Sequence, residues 1–408
     1  MKKQNTATVA VIIAVILLIL AYFFDQNGNP LGGTLREVAE LVLTTEGQLD
    51  STPVPAAVPN RTPAPGLPTL APIVTPDMTA TGTSPTAADF YQVYFTEPTC
   101  PPAAERTGGL DETIAADLLR AQQNVDVAAF DLDAEPIVNA LMTLDKQGVT
   151  VRVVTDSDNA DLSSIRRLRR NGVSVVEDKR SGLMHNKFIV IDNRYLWVGS
   201  LNLTTNGVYC NNNNIVRFDL PDLAENYRVE MDEMYIDHSF GPKSPDNTPH
   251  EHLTYEGIPI ENYFAPEREL ELINVIARTV VRAEHEILFM IFSFTNEEVG
   301  EAMLGRADAG VSLRGIFETT GSDTKDSYYG VMKGAGLPNV TVRLDGNPQI
   351  MHHKVIIVDR QTVIFGSFNF SASANRNNDE NIVVVTDPTF AGYFVQEFER
   401  RWAEAKVE

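Results

Sequence analysis

Two stretches of the sequence carry the same set of reactive side chains. The first runs from Met184 to Thr204 and the second from Met351 to Ser371. Each holds a histidine and a lysine two residues apart, then an apolar run, an aspartate and a Gly-Ser-x-Asn segment. Because residues i and i+2 of a β-strand point to the same face, the histidine and lysine of each stretch are expected to project together.

A histidine beside a lysine and an asparagine suits the chemistry of a phosphodiester. The imidazole can attack phosphorus or donate a proton to a leaving oxygen. Lysine and asparagine can hydrogen-bond the nonbridging oxygens as charge builds in the transition state. Displacement needs an attacking group and an acid on opposite sides of the phosphorus, which two motifs meeting at a two-fold interface would supply. The predicted catalytic residues are His185, Lys187, His352 and Lys354, and the predicted phosphate-binding residues are Ser200, Asn202, Ser367 and Asn369.

The aspartate of each motif, Asp192 or Asp359, stands apart from the histidine. It follows that histidine by seven residues, which is the opposite parity on a strand, and it lies where a turn begins. We therefore expect these aspartates to fix the turn, or to make a supporting contact, and not to face the substrate.

The motifs belong to a longer internal repeat. One constant offset along the chain carries His185 to His352 and Asn214 to Asn381, and a slightly shorter offset carries Phe130 to Phe292. Each copy alternates amphipathic stretches with apolar strands, a pattern typical of a mixed α/β sheet covered by helices. The predicted fold class is α/β, with two tandem, pseudo-two-fold-related repeats whose mixed sheets are flanked by helices. The predicted repeats span 89–236 and 267–408, with a connector at 237–266.

The N-terminus has the pattern of a membrane anchor. Lys2 and Lys3 precede an uncharged, mainly apolar stretch from Gln4 to Phe24, which is close to the ~20 residues that a spanning helix needs. We interpret 1–25 as a transmembrane helix, with a cleaved signal peptide as the alternative. The two lysines place the N-terminus in the cytoplasm, which predicts a single-pass cell-membrane protein with an extracytoplasmic catalytic domain. The Pro- and Thr-rich residues 26–88 are predicted to be a disordered linker.

The net charge of −22 limits the possible partners. Such a chain repels nucleic acid and anionic membranes at long range, so either partner would have to be held by a local basic patch. The best candidate for steering phosphate is the arginine cluster from Arg166 to Arg170; the alternative is an ordinary solvated helix face.

The chain has two cysteines, Cys100 and Cys210. They form no CxxC pair, so the sequence does not indicate structural zinc. An exported domain permits a disulfide between them; two free thiols are the alternative.

The paired H-x-K-x(4)-D and G-S-x-N motifs resemble those of the phospholipase D superfamily. The matching residues are His185, Lys187, Asp192, Gly199, Ser200 and Asn202, and again His352, Lys354, Asp359, Gly366, Ser367 and Asn369. The resemblance covers roughly residues 90 to 408, and it adds Asp192 and Asp359 of the motif to the predicted catalytic residues. It implies a covalent phosphohistidine that water hydrolyses without a metal or other cofactor. It also implies that His185 is the nucleophile and His352 the acid.

One feature departs from the family pattern. Family members often place an acid after the motif to orient the histidine; the second copy has Glu380 there, whereas the first has Asn213. A carboxylate fixes the imidazole tautomer and stabilises its cationic form, while an amide does only the first. If each residue orients the histidine of its own copy, His352 would be the better base, against the order that the resemblance implies. The sequence leaves this choice open.

These observations predict a membrane-anchored phosphodiesterase that hydrolyses phospholipids. The alternatives are a nuclease of the same superfamily, a cardiolipin synthase-like phosphatidyltransferase, and an inactive repeat that only binds anionic polymers. The shared chemistry involves only the phosphodiester, so the sequence does not separate lipid from nucleic acid. We expect a monomer, because both motifs lie on one chain.

Overall fold

The computed structural model describes residues 90–267 and 271–407. The predicted transmembrane helix and linker lie outside these residues. Within the described ranges, no helix has both the length and the hydropathy needed to cross a bilayer.

The first repeat is built on a seven-stranded mixed sheet. Its strand order is β1-β7-β6-β5-β2-β3-β4, with β2 parallel to β3 and antiparallel to β5. The strands are β1 (Tyr91–Phe95), β2 (Asn124–Ala129), β3 (Thr150–Thr155), β4 (Ser174–Glu177), β5 (Lys187–Ile191), β6 (Tyr195–Gly199) and β7 (Asn214–Asp219). The helices are α1 (Leu110–Leu118), α2 (Glu135–Lys146), α3 (Ser163–Arg170), α4 (Thr205–Tyr209) and α5 (Pro221–Asp232), and α5 continues into a π-helical turn, Glu233–Asp237.

The second repeat has an eight-stranded sheet in the order β12-β11-β10-β13-β14-β15-β9-β8. The strands are β8 (His252–Tyr255), β9 (Ile258–Ala265), β10 (Glu286–Ile291), β11 (Ser312–Phe317), β12 (Val340–Leu344), β13 (Lys354–Val358), β14 (Thr362–Gly366) and β15 (Glu380–Thr386). The helices are α6 (Glu271–Val280), α7 (Glu297–Asp308), α8 (Tyr328–Lys333), α9 (Ala372–Arg376) and α10 (Pro388–Glu404). The segment 237–266, expected to be a connector, contains β8 and β9, which extend this sheet.

Alternation along the motif strands creates the layers of the molecule. In β5, Phe188 and Val190 enter an apolar core that also holds Val355 and Ile357 of β13, together with residues of α5 and α10. The intervening residue Ile189 enters a separate core with α1, α2 and α3. The two sheets therefore face each other across a central layer, with further helices on their outer faces. This arrangement confirms the prediction of two α/β repeats with mixed, helix-covered sheets.

The two cysteines are joined. A disulfide links Cys100, which follows β1, to Cys210, which follows α4. Of the two alternatives that the sequence left open, the structure therefore has the bridge.

Candidate active site

The two motif strands meet at the interface between the repeats. The His185 N–H donates to the carbonyl of Asp379 (3.0 Å), and the His352 N–H donates to the carbonyl of Asn212 (2.9 Å). Each motif strand is therefore anchored at its start by the loop that precedes the last strand of the other repeat. This brings His185, Lys187, His352 and Lys354 into one buried site, as the two-fold argument predicted.

The imidazoles are oriented by residues of the opposite repeat. His185 Nδ1 lies 2.8 Å from Glu380 Oε2, and His352 Nδ1 lies 2.9 Å from Asn213 Oδ1. The expectation that Glu380 supports His352 is therefore wrong, since Glu380 contacts the histidine of the first repeat. Asn213 and Glu380 both lie at the interface between the repeats, and each contacts the histidine ring of the other repeat.

This exchange decides which histidine has the carboxylate. With Nδ1 of each ring engaged, Nε2 is the nitrogen left for chemistry. Glu380 can stabilise a cationic ring at His185, whereas Asn213 fixes only the tautomer of His352. The structural argument and the resemblance now agree on His185 as the better nucleophile.

The two serines support the orienting residues. Ser200 Oγ donates to Asn213 Oδ1 (2.9 Å), and Ser367 Oγ donates to Glu380 Oε2 (2.6 Å). Both serines are fully buried. Their predicted role in binding phosphate is therefore wrong, because their hydroxyls are used behind the histidines.

Asn202 and Asn369 remain as candidates for phosphate binding. Both are partly exposed, and in each the Oδ1 atom is buried without a hydrogen-bond partner among the described residues. Their contact with substrate stays a prediction.

The lysines lie deep in the site, against aromatic rings. Lys187 Nζ donates to the His185 carbonyl (2.6 Å), and Lys354 Nζ donates to the His352 carbonyl (3.0 Å). The Phe130 ring lies 5.1 Å from the His185 ring and 5.2 Å from Lys187 Nζ. Phe292 repeats this, 5.1 Å from the His352 ring and 4.8 Å from Lys354 Nζ. Sequence reasoning missed both phenylalanines as site residues, although their matched position in the repeat was a usable signal.

A second pair of residues was also missed. Asp156 Oδ2 accepts a hydrogen bond from the Met184 N–H (2.9 Å), and Glu318 Oε2 accepts one from the Met351 N–H (2.6 Å). The two carboxylates are related by the same offset as Phe130 and Phe292, and each follows a parallel strand of its sheet. They fix the residue that precedes each histidine.

The motif aspartates lie at the far end of the motif strands. The Asp192 carboxylate accepts hydrogen bonds from the N–H groups of Gln122, Gln123 and Asn124, and Asp359 does the same for 284–286. Asp192 has a φ of +52° and Asp359 one of +51°, so each begins a tight hairpin turn. Their assignment to the catalytic residues is wrong, and the alternative interpretation from strand parity is confirmed.

Burial controls the charges of the site. It lowers the pKa of His185 and His352, an effect that the neighbouring lysines reinforce. It also lowers the pKa of Lys187 to about 7 and raises that of Glu380 to about 8. Without an anion, the site therefore favours uncharged side chains. A phosphodiester would supply the negative charge that keeps the lysines protonated.

Two of the four arginines between Arg166 and Arg170 are paired with carboxylates. Arg167 forms an ion pair with Glu135 (2.7 Å), and Arg169 forms one with Glu177 (2.8 Å). These carboxylates offset part of the positive charge that the cluster would otherwise present to a phosphate backbone.

Comparison with known proteins identifies the family. The model of the family described as "Cardiolipin synthase, PLD-like domain" matches twice, at residues 114–235 and 276–402. The chain belongs to this phospholipase D-like family. Each of the two matched ranges contains one complete His-Lys motif, so the family assignment covers both halves of the site.

Relatives similar in sequence agree with this assignment. The chain is 36% identical over 134 residues to a mitochondrial cardiolipin hydrolase of Xenopus tropicalis (32% of this chain, 63% of the relative). It is 32% identical over 128 residues to a phospholipase D of Rickettsia felis (31% of this chain, 62% of the relative). The chain thus spans less than two thirds of the length of these relatives.

Among solved structures, the phosphatidylserine synthase of Haemophilus influenzae aligns over 78% of this chain and 87% of its own, with a TM-score of 0.58 and 12% identity. This likeness concerns the fold alone. The fold of this chain therefore has a counterpart among solved structures over most of its length.

Proposed function

We propose that this protein is a phosphodiesterase of phospholipase D type that hydrolyses phospholipids through a phosphohistidine. Nε2 of His185 attacks the phosphorus, and the bond to the leaving oxygen breaks as His352 donates a proton to that oxygen. In the second step His352 takes a proton from water, whose oxygen attacks the phosphohistidine and releases His185. His352 thus gives one proton to the leaving group and regains one from water, His185 is restored when its bond to phosphorus breaks, and the net reaction consumes one water.

The observation that carries this proposal is the contact between His185 and Glu380 across the repeat interface, at 2.8 Å. Attack through Nε2 makes the ring cationic, and a carboxylate at Nδ1 stabilises that charge. Lys187 and Lys354 would offset the charge on the nonbridging oxygens, together with the amides of Asn202 and Asn369.

Phospholipid is the proposed substrate class. Relatives named cardiolipin hydrolase and phospholipase D support it, and they make cardiolipin the first lipid to test. The carboxylate partners of Arg167 and Arg169 weaken the basic patch that a nucleic-acid backbone would need. We also propose that the protein associates with a membrane, through the N-terminal helix predicted from the sequence.

The test uses the full-length protein with vesicles of phosphatidylcholine containing cardiolipin, and separately with single-stranded DNA. We expect phosphatidic acid to be released from cardiolipin and the DNA to stay intact. Cleavage of DNA without any lipid product would overturn the choice of substrate. Hydrolysis of cardiolipin gives one phosphatidic acid and one phosphatidylglycerol. Adding glycerol distinguishes a phosphatidyltransferase, which would convert cardiolipin into two phosphatidylglycerols and release no phosphatidic acid.

The assignment of the two histidines has its own test. His352→Asn should accumulate a phosphorylated enzyme with a p-nitrophenyl phosphodiester, because that leaving group departs without a proton whereas the second step still needs a base. His185→Asn should give no phosphoenzyme, and combining the two changes should cost little more activity than either alone. Phosphate on His352 in the His185→Asn protein would reverse the assignment.

A further inference from the structure

Three glutamates converge behind the catalytic strand of the first repeat. Glu230 lies near the end of α5, Glu233 begins the π-helical turn after it, and Glu267 follows β9. One carboxylate oxygen from each lies within 4.8 Å of the other two. The cluster is separate from the histidine site, because it lies on the central-layer side of β5.

The two inner glutamates are buried, and in the described part of the chain three of their oxygens have no well-aligned hydrogen-bond donor. Glu230 is 2% exposed and Glu233 is 3% exposed. Glu230 Oε1 accepts a hydrogen bond from Asn186 Nδ2 (3.0 Å). The Glu267 carboxyl contacts that of Glu230, and the Asn247 side chain approaches Glu233. Even so, Glu230 Oε2 and both oxygens of Glu233 have no hydrogen bond of normal geometry from a donor among the described residues. A buried carboxylate needs a hydrogen bond or a cation to offset its lost hydration.

The second repeat shows how the same position is neutralised by protein groups. The offset that relates the two motif histidines also carries Glu230 to Glu397 and Glu233 to Arg400. There Arg400 contacts the Glu397 carboxylate, and Arg401 Nε lies 3.0 Å from it. In the first repeat Glu233 occupies the position of Arg400. The positive charge of the second repeat is therefore replaced by a carboxylate, which lies beside the carboxylates of Glu230 and Glu267.

We propose that Glu230, Glu233 and Glu267 bind a calcium ion that takes the place of the second repeat's arginine. Ca²⁺ binds carboxylate oxygens at about 2.3–2.6 Å, so ligands of one ion lie at most roughly 5 Å apart, and the three oxygens, which lie within 4.8 Å of one another, satisfy that bound. Mg²⁺ usually keeps several waters and is held by one or two carboxylates, so a cluster of three glutamates favours calcium.

The ion would be structural and would take no part in the reaction. Glu230 holds Asn186, the residue between His185 and Lys187, and Asn381 Nδ2 donates to Asn186 Oδ1 at 2.7 Å. Calcium would therefore hold Glu230 in place and, through it, the position of Asn186 between His185 and Lys187.

Calcium binding is tested on the full-length protein freed of metal with a chelator and titrated with CaCl₂ by calorimetry, without substrate. We expect one ion per chain, weaker binding of MgCl₂, and a Tm raised by ~3–6 °C at saturating calcium. Glu233→Gln should lose both the binding and the shift, yet be at least as stable as the wild type in chelator, because one repelling charge is gone. Glu225→Gln, the same change on the exposed side of α5, should keep the full calcium response.

Glu233→Arg copies the second repeat and should be stable in chelator and indifferent to calcium. If Glu233→Arg or Glu233→Gln fails to fold, the wild-type titration and the partly exposed Glu267→Gln decide the question. Absence of calorimetric binding to the wild type at millimolar calcium, or an equal Tm shift in the wild type and Glu267→Gln, would overturn the site. Neither outcome depends on phosphodiesterase activity, so the failure of one proposal is distinguishable from that of the other.

Discussion

Changing Glu380 to glutamine should slow formation of the phosphohistidine by roughly tenfold to a hundredfold. The substitution keeps an oxygen near His185 Nδ1, 2.8 Å away in the native protein, but removes the negative charge. At an effective dielectric constant of about 20, two unit charges at that distance interact by about 6 kcal/mol. If about half of the charge has developed on the ring in the transition state, the loss is about 3 kcal/mol, or roughly a hundredfold in rate.

Ionisation of Glu380 reduces this figure. Burial raises its pKa to about 8, so forming the carboxylate at pH 7 costs about 1.4 kcal/mol. Subtracting that cost from the loss of about 3 kcal/mol leaves a decrease in the rate of roughly tenfold, which is the lower end of the expected range. The assay is the burst of p-nitrophenol from a p-nitrophenyl phosphodiester, which reports attack by His185 without requiring an acid, and thermal unfolding confirms that the variant is folded.

The matched control exchanges the two orienting residues. Asn213→Asp combined with Glu380→Gln restores the net charge of the site but places the carboxylate at His352. If the pairing across the interface determines the rate, the double variant stays slow in attack by His185. A burst at the wild-type rate, with phosphate on His185, would refute the reasoning, because net charge alone would then be sufficient.

Three other contacts give predictions of their own. Burial lowers the pKa of Lys187 to about 7, and only its protonated form attracts phosphate, so kcat/KM should fall as the pH rises above about 7. The bound anion raises that pKa, so kcat should be kept to a higher pH. A fall of kcat and kcat/KM at the same pH would contradict this prediction. Asp192→Ala removes the acceptor of the N–H groups of 122–124 and should cost ~1–3 kcal/mol in urea unfolding, with kcat per folded molecule within about twofold of wild type. Replacing Cys100 and Cys210 by serine removes the disulfide that closes a loop of 110 residues, and it should lower the free energy of unfolding in urea by roughly 2–5 kcal/mol. A reduced wild-type protein that unfolds at the same urea concentration as the oxidised protein would contradict this prediction.

Much of the fold and of the site follows from periodicity. The strand parity of His185 and Lys187 predicts their shared face, and the opposite parity of Asp192 predicts its place at the turn. The structure agrees in both cases, because side-chain direction on a strand is set by the backbone alone. The constant offset between the two motifs identifies the second copy for the same reason: equivalent residues occupy equivalent strands.

The partners of the histidines were beyond this reasoning. An offset shows that Asn213 and Glu380 are equivalent, but it does not show which of two equivalent rings each one faces. The answer depends on how the repeats dock, which is a property of the shared core and not of either motif. The prediction for the serines failed for a related reason, since Ser200 and Ser367 belong to the same interface network and their hydroxyls contact Asn213 and Glu380.

The exchange of supports also explains why the two halves act as one unit. Separated from its partner, the first repeat would keep His185 but lose Glu380, which orients it, as well as Asp379, which holds its backbone. The second repeat would likewise lose Asn213. Neither half alone has an oriented nucleophile, and the acid for each displacement is in the other half. Duplication therefore supplies more than a second histidine: it supplies, for each histidine, the residue that sets its tautomer, and in doing so it allows one to carry a carboxylate and the other an amide.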